Sequence, residues 1–199
     1  MTKVELRATY TEGRIRRLAE QLHRAKVPAQ TFAAIMAGGE AIDPKGGDEH
    51  VAAWLAGAMD RLEALLDEPT RVCVRQGCAC CLGGKRGQIS RDIGLQHDTL
   101  EARIAAANEA RFVFGHSVQR LADGQIEVSF FPPGLEHHRC PCLPHGDKPQ
   151  SLTYCECCAG HVKHHLSRAL ATPVQGRVVA SALASGGREG CRFRFEVVG

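Results

Sequence analysis

The sequence predicts an α+β fold, with N-terminal helices packed on a C-terminal antiparallel sheet that carries a covering helix. Three observations lead there. Apolar residues recur at three- and four-residue steps through the first two fifths of the chain, two later stretches alternate apolar and polar residues, and one more helical period lies between those stretches.

Taken in order, Ile15, Leu18, Leu22 and Ala25 form the stripe of a first amphipathic helix, with Arg14, Arg16 and Arg17 read as its solvated face. Pro28 opens a second helix through Phe32, Ile35 and Met36, which Gly38 and Gly39 end. Asp48 is placed to cap a third, whose stripe is Val51, Leu55, Ala58, Leu62 and Leu65, with Trp54 packed beside it. Pro69 is expected to close that helix, and Gly83, Gly84 and Gly87 to supply a flexible loop after the first cysteines. Asp98 and Glu101 have the spacing of a capping box ahead of a helix that runs through Ile104 to about Ala110. Asp123-Gly124 is a two-residue hairpin signal, residues 125–130 alternate as a strand, and Pro132-Pro133-Gly134 stop it.

Residues 135–154 hold His, Pro and Cys without a period, so something other than a hydrophobic face has to organise them, and a bound metal would serve. A helix over 160–171 carries Val162, Leu166 and Leu170 on one side, and a strand is expected over 174–184. In a last strand over 191–197, Cys191, Phe193, Phe195 and Val197 share one face. The expected division is a helical region over 1–90, ending in a cysteine-rich run, and a metal- and ligand-binding α+β domain over 91–199.

A formal net charge of +3 without a basic block, and only 5% aromatic residues, argue against a nucleic-acid surface. No stretch reaches the roughly 18 apolar residues of a membrane span. Charges within residues 1–7 leave no room for a secretory signal, so the expected compartment is the cytoplasm. The partner expected is a small-molecule ligand or substrate, with no nucleic acid and no membrane; a homodimer is left open.

The chain holds ten cysteines, nine of them in three runs: Cys73, Cys78, Cys80 and Cys81; Cys140 and Cys142; Cys155, Cys157 and Cys158. The tenth is Cys191. In a reducing compartment such spacing points to metal or redox work before structural disulfides. Structural zinc takes four tetrahedral Cys or His ligands and stands in for core in loop-rich segments. Cys140 and Cys142 with two of the third run would close the loop between them. The first run offers four thiolates within nine residues, which an iron–sulfur cluster also uses. Zinc is preferred and a cluster is the alternative. One composite centre, reached by the first run as well, is favoured over two sites. His137, His138 and His145 bracket the second run, and His161, just after the third, is the best histidine candidate for a ligand or supporting partner. His164 and His165 are read as ordinary packing or surface residues.

Tyr154-Cys155-Glu156-Cys157-Cys158-Ala159-Gly160-His161, the following helix and strand, and Gly190-Cys191-Arg192-Phe193-Arg194-Phe195 resemble the C-terminal half of 4-vinyl-reductase-type domains. With the hairpin around Asp123-Gly124 and the pair Cys140 and Cys142, the last 80 or so residues also resemble a related cysteine-rich bacterial family of unknown function. The resemblance implies a small-molecule-binding α+β domain, used by the relatives as a sensor, with structural zinc near the pocket. It implies ligands at Cys155 (or Cys157 or Cys158) and at Cys191. Where the sensors place a Glu and another Cys, this chain has Ala180, Ser181, Leu183 and Ala184, so half of that ligand set is missing.

Three function classes follow. The first is a metal-shaped small-molecule-binding module with a sensory or regulatory role. The second is a hydrolase or redox enzyme using a low-pKa thiol among Cys78, Cys80 and Cys81, near Lys85 and Arg86. The third, a metal store, is disfavoured by the evident core and the lack of Met-rich stretches.

Overall fold

The computed structural model describes residues 2–140, 142–143 and 150–198. Among these residues the helices are α1 (Lys3–Thr9), α2 (Gly13–Arg24), α3 (Ala29–Met36), α4 (Asp48–Leu65), α5 (Glu68–Gly77), α6 (Gly84–Gln96), α7 (Leu100–Glu109), α8 (Arg111–Phe114) and α9 (Leu152–Ala169). The strands β1 (Ser117–Arg120), β2 (Ile126–Ser129), β3 (Val174–Ala180) and β4 (Arg192–Val197) form one antiparallel sheet in the order β1-β2-β4-β3. The α+β class read from the sequence is the class observed.

The helical stripes bury as their periods require, except at the C-terminal ends of α2 and α4, where Ala25 and Leu65 are exposed. Ile15, Leu18 and Leu22 of α2 meet Ile35 and Met36 of α3 and Leu55, Met59 and Leu62 of α4 in one core, each removed from water. A side chain of this size contributes roughly 1.5–3 kcal/mol when fully buried. The sheet buries one face by register. Val118 pairs with Val128, Val128 with Phe193 and Phe193 with Val178, so a row of β-branched and aromatic side chains crosses all four strands. Val162, Leu166 and Ala169 of α9 are buried against this layer, as the sequence suggested for the covering helix. The outer face is polar, with Arg194 on Glu127 at 2.8 Å and Gln125 on Glu196 at 3.0 Å.

Five local readings are corrected. Pro69 opens α5 instead of closing α4: Asp67 caps that helix by accepting from the Thr70 amide at 2.8 Å, and proline near a helix start has no amide bond to lose. Gly84 begins α6, and Gly87 lies inside it, where a methyl group would press on the Leu82 carbonyl. Thr99, not Asp98, caps α7, accepting from the Ala102 amide at 3.2 Å. Finally, α9 starts at Leu152, capped by the Ser151 hydroxyl, so the third cysteine run lies in the first two turns of the helix instead of ahead of it. The strand expected over 174–184 ends at Ala180, and turns follow.

Helix α9 is the axis of the molecule: α4, α5, α6 and the strands β3 and β4 all pack against it. The approach to α5 is close enough that a methyl on Gly160 would strike the Gln76 backbone. The division expected between 90 and 91 falls inside α6, and buried side chains from both halves form one continuous core.

Candidate metal centre

A cavity of about 450 Å³ opens where α2, α5, α8 and α9 converge, within the usual range for small-molecule sites. Cysteines from all three runs line it: Cys78, Cys80 and Cys81, then Cys142, then Cys157 and Cys158. These stretches are separated by some sixty residues and by about fifteen in sequence, so the meeting is made by the fold. Helix α5 ends at Cys78 and delivers the first run; the first two turns of α9 deliver the third; Cys142 lies beside them, against Cys158.

All ten cysteines are free thiols. The Sγ atoms of Cys142 and Cys158 are 3.3 Å apart, well beyond the ~2.0 Å of a disulfide and about half an ångström short of the ~3.8 Å edge of a tetrahedral zinc–thiolate site built with 2.3 Å bonds. Hydrogen bonds from the Cys140 and Cys158 thiols, aided by the charges of His161 and Arg75, hold the Cys142 thiol far below its ordinary pKa. A hydrogen bond from Cys158 and the charge of Arg75 likewise lower that of Cys157. As the donors in these pairs, Cys140 and Cys158 are raised. Burial, with Cys81 alongside, pushes Cys80 up to about 11. Among the described residues, no group of three or more Cys, His, Asp or Glu side chains is drawn together tightly enough to enclose an ion.

Arg75 is the cation beneath the thiols, and no sequence pattern marked it. It is 3% exposed, donates to the Tyr154 carbonyl at 2.7 Å and to that of Thr153 at 3.4 Å, and lies over the Tyr154 ring. Burial opposes its charge, but the sulfurs of Cys78 and Cys157 outweigh that and hold the guanidinium protonated. The available signal was its place on α5, one position past buried Val74 and three before Cys78, in the same turn as an apolar stripe.

Three histidines of α9 hold the loop that carries Cys80 and Cys81. His161 Nδ1 lies 3.0 Å from the Cys80 carbonyl, His165 Nε2 3.1 Å from that of Cys81, and His164 Nε2 3.1 Å from that of Leu82. A carbonyl can only accept, so each of these ring nitrogens carries the proton. Cys81 has φ +60°, a backbone conformation that costs a non-glycine residue energy and that the clamp helps to maintain. The reading of His164 and His165 as ordinary residues is therefore corrected: both fix the cysteine loop. Burial lowers His165 to about 4, keeping it neutral, with Ser90 Oγ 3.0 Å from its Nδ1. His161 also lines the cavity, and with its Nδ1 engaged by the Cys80 carbonyl, Nε2 is the ring nitrogen left to meet a metal.

The remaining candidates lie elsewhere. Cys73 is exposed on α5 and does not line the cavity. Cys155 and Cys191 are buried behind it with Ser181, whose hydroxyl lies 2.8 Å from Cys155 Sγ and also bonds Cys191. Cys191 Sγ further accepts from the Ala182 amide at 3.4 Å. Burial pushes Cys155 up to about 12 and raises Cys191, so both are neutral thiols. His137 and His138 lie by the 187–190 turn, where His138 Nδ1 is 3.3 Å from the Gly187 carbonyl; His145 falls outside the described residues. The expectation of a reactive thiol among Cys78, Cys80 and Cys81 activated by Lys85 and Arg86 is corrected for Cys78 and Cys80. Burial raises Cys78 and Cys80, and both cations sit over the Phe112 ring, at 5.8 Å and 4.0 Å.

Arg14 and Arg17, read from the sequence as solvated, instead line the cavity with Arg86 and Arg111. Apolar side chains of Leu55, Phe112, Val113, Phe130 and Phe131 complete its wall. Among the described residues no helix is long and apolar enough to cross a membrane. No family model matches the chain, and no curated protein or solved structure matches it at a significant level.

Proposed function

We propose that this is a cytoplasmic thiolate-metal protein whose metal centre forms one wall of a small-molecule cavity, in a sensory or regulatory role. The convergence of three sequence-distant cysteine runs on one cavity carries the reading, with the 3.3 Å approach of Cys142 to Cys158 at its middle. Four thiolates drawn from Cys80, Cys81, Cys142, Cys157 and Cys158, or three with His161 Nε2, match the donor chemistry of zinc, with an iron–sulfur cluster in second place. A resident dication would remove the mutual repulsion of thiolates gathered in a poorly hydrated place, and would organise the loop through Cys142. The N-terminal helices then have a purpose, since α5 brings Cys80 and Cys81 to the centre.

Metal analysis of protein purified without oxygen tests this. About one equivalent of zinc per chain, without a visible absorption band, is expected; a visible band with iron would favour the cluster, and metal-free protein would refute the reading.

A second reading, a thiol-dependent enzyme acting on a small molecule, is favoured by one observation: the lowered Cys142 thiol faces the cavity. Rapid alkylation of Cys142 alone at pH 6, in metal-free protein, would favour it.

A further inference from the structure

The cavity concentrates positive charge. Arg14, Arg17, Arg75, Arg86 and Arg111 all line it, and among the described residues no carboxylate does. Three of the five have partners that account for them. Arg14 is paired with Asp48 at 2.7 Å and Glu12 at 3.1 Å, Arg75 with two carbonyls and the sulfurs, and Arg86 donates to the Phe112 carbonyl at 3.2 Å while stacked on its ring.

Arg17 and Arg111 differ. Neither has a carboxylate partner among the described residues, and Arg17 Nε is closed off from water without any acceptor. That nitrogen is out of reach of the cavity as well as of water, so the other nitrogens of the guanidinium are the ones left for a ligand. Guanidinium groups gathered in a concave site of low polarity raise the local concentration of anions and present the fork that carboxylates and phosphates match. The apolar lining, Phe130, Phe131, Val113 and Leu55, suits an apolar body.

We propose that the ligand of this cavity is an organic anion, a carboxylate or phosphate ester with an aromatic or aliphatic body, whose acidic group is held by Arg17 and Arg111. The inference rests on the cavity being a small-molecule site, and it specifies the class of that molecule. It does not depend on which metal the thiols hold.

The test uses the full chain and two fluorescent probes of one shape: 8-anilinonaphthalene-1-sulfonate, an anion, and its neutral counterpart N-phenyl-1-naphthylamine. Saturable binding of the anion at one site is expected, with the neutral probe weaker by about tenfold or more, as one charge-assisted contact implies. Arg17→Gln and Arg111→Gln should each weaken the anion by about tenfold and leave the neutral probe unchanged, while Arg111→Lys retains most of the selectivity. Arg111 is exposed on α8, so its variants carry the test even if Arg17→Gln fails to fold. Equal binding of the two probes would overturn the proposal. So would loss of bound metal in the glutamine variants, since the arginines would then serve to balance the thiolate centre. Anion selectivity in a chain that binds no metal would refute the metal centre alone; metal binding without charge selectivity would refute this inference alone.

Discussion

Cys155 and Cys157 are two residues apart on α9 and meet opposite environments. At about 100° per residue they project some 200° apart around the helix, so one faces the sheet and the other the cavity. Cys155 meets Ser181 and, through that hydroxyl, Cys191: three small polar groups satisfied by one another, with burial keeping the sulfurs protonated. Cys157 meets Cys158, whose hydrogen bond, with the charge of the buried Arg75, outweighs burial and the repulsion of Cys142 and favours thiolate. The difference teaches that cysteine spacing alone does not define a site. What separates the two groups is a nearby cation and convergence of several chain segments on the cavity side, against a hydroxyl and a backbone amide on the other.

The largest expected effect comes from removing the two thiols in contact. The double variant Cys142→Ser, Cys158→Ser is expected to lower bound metal by at least about tenfold, whereas Cys155→Ser with Cys191→Ser leaves the metal content unchanged. Elemental analysis of anaerobically purified chains reads both. Equal losses in the two doubles would erase the distinction between the groups and move the centre toward the sheet.

Next in size is Arg75. Replacing it by Met keeps much of its bulk but leaves the Tyr154 and Thr153 carbonyls without their donor and the neighbouring thiolates without their cation. A loss of about 3 kcal/mol is expected, the usual result of breaking a buried ionic network from one side, and the midpoint of urea unfolding measures it. Alkylation at pH 7 should also slow at Cys142 and Cys157 and stay slow at Cys155. A variant as stable as the parent chain, with unaltered thiol reactivity, would mean that Arg75 does not set the character of the cavity side.

These contrasts show what the sequence could disclose. The stripes of α2 and α4 and the alternation of β4 are legible because each buries one face against a single partner, and periodicity records that directly. The start of α9 is hidden because Cys155, Cys157 and Cys158 read as a chemical motif when they also continue the helical period into Ala159 and Val162. A helix begun at Ser151 puts Cys155 and Cys157 on different faces by its period alone. Arg14 and Arg17 mislead for a related reason: arginine on an amphipathic helix normally faces water, and only the arrival of α8 and α9 turns that side of α2 into a cavity wall. The spacing of the three cysteine runs suggests one composite centre but not its membership, because which thiols meet depends on the direction in which α5 delivers Cys78, Cys80 and Cys81.

The smallest effect concerns the helix that both groups share. Glu63 of α4 accepts hydrogen bonds from the hydroxyls of Ser151 and, at 2.6 Å, Thr153, so it holds the first turn of α9 from outside both thiol groups. Burial works against its charge, but the two hydroxyls and the nearby Arg71 prevail and lower its pKa from an ordinary 4.5. The folded chain therefore binds this proton less readily than the unfolded one. Its stabilising contribution is complete above the unfolded value and is lost as the pH falls through the lowered folded value. Glu63→Gln should flatten that part of the acid limb in urea midpoints measured between pH 6 and 3. At neutral pH it should cost less than about 1 kcal/mol, because the carboxylate is exposed to solvent screening. Metal content and the contrast between Cys155 and Cys157 should survive this change. If Glu63→Gln instead released metal, the cavity-side group would depend on how α4 holds the start of α9, and the two sides of the helix would be one coupled unit.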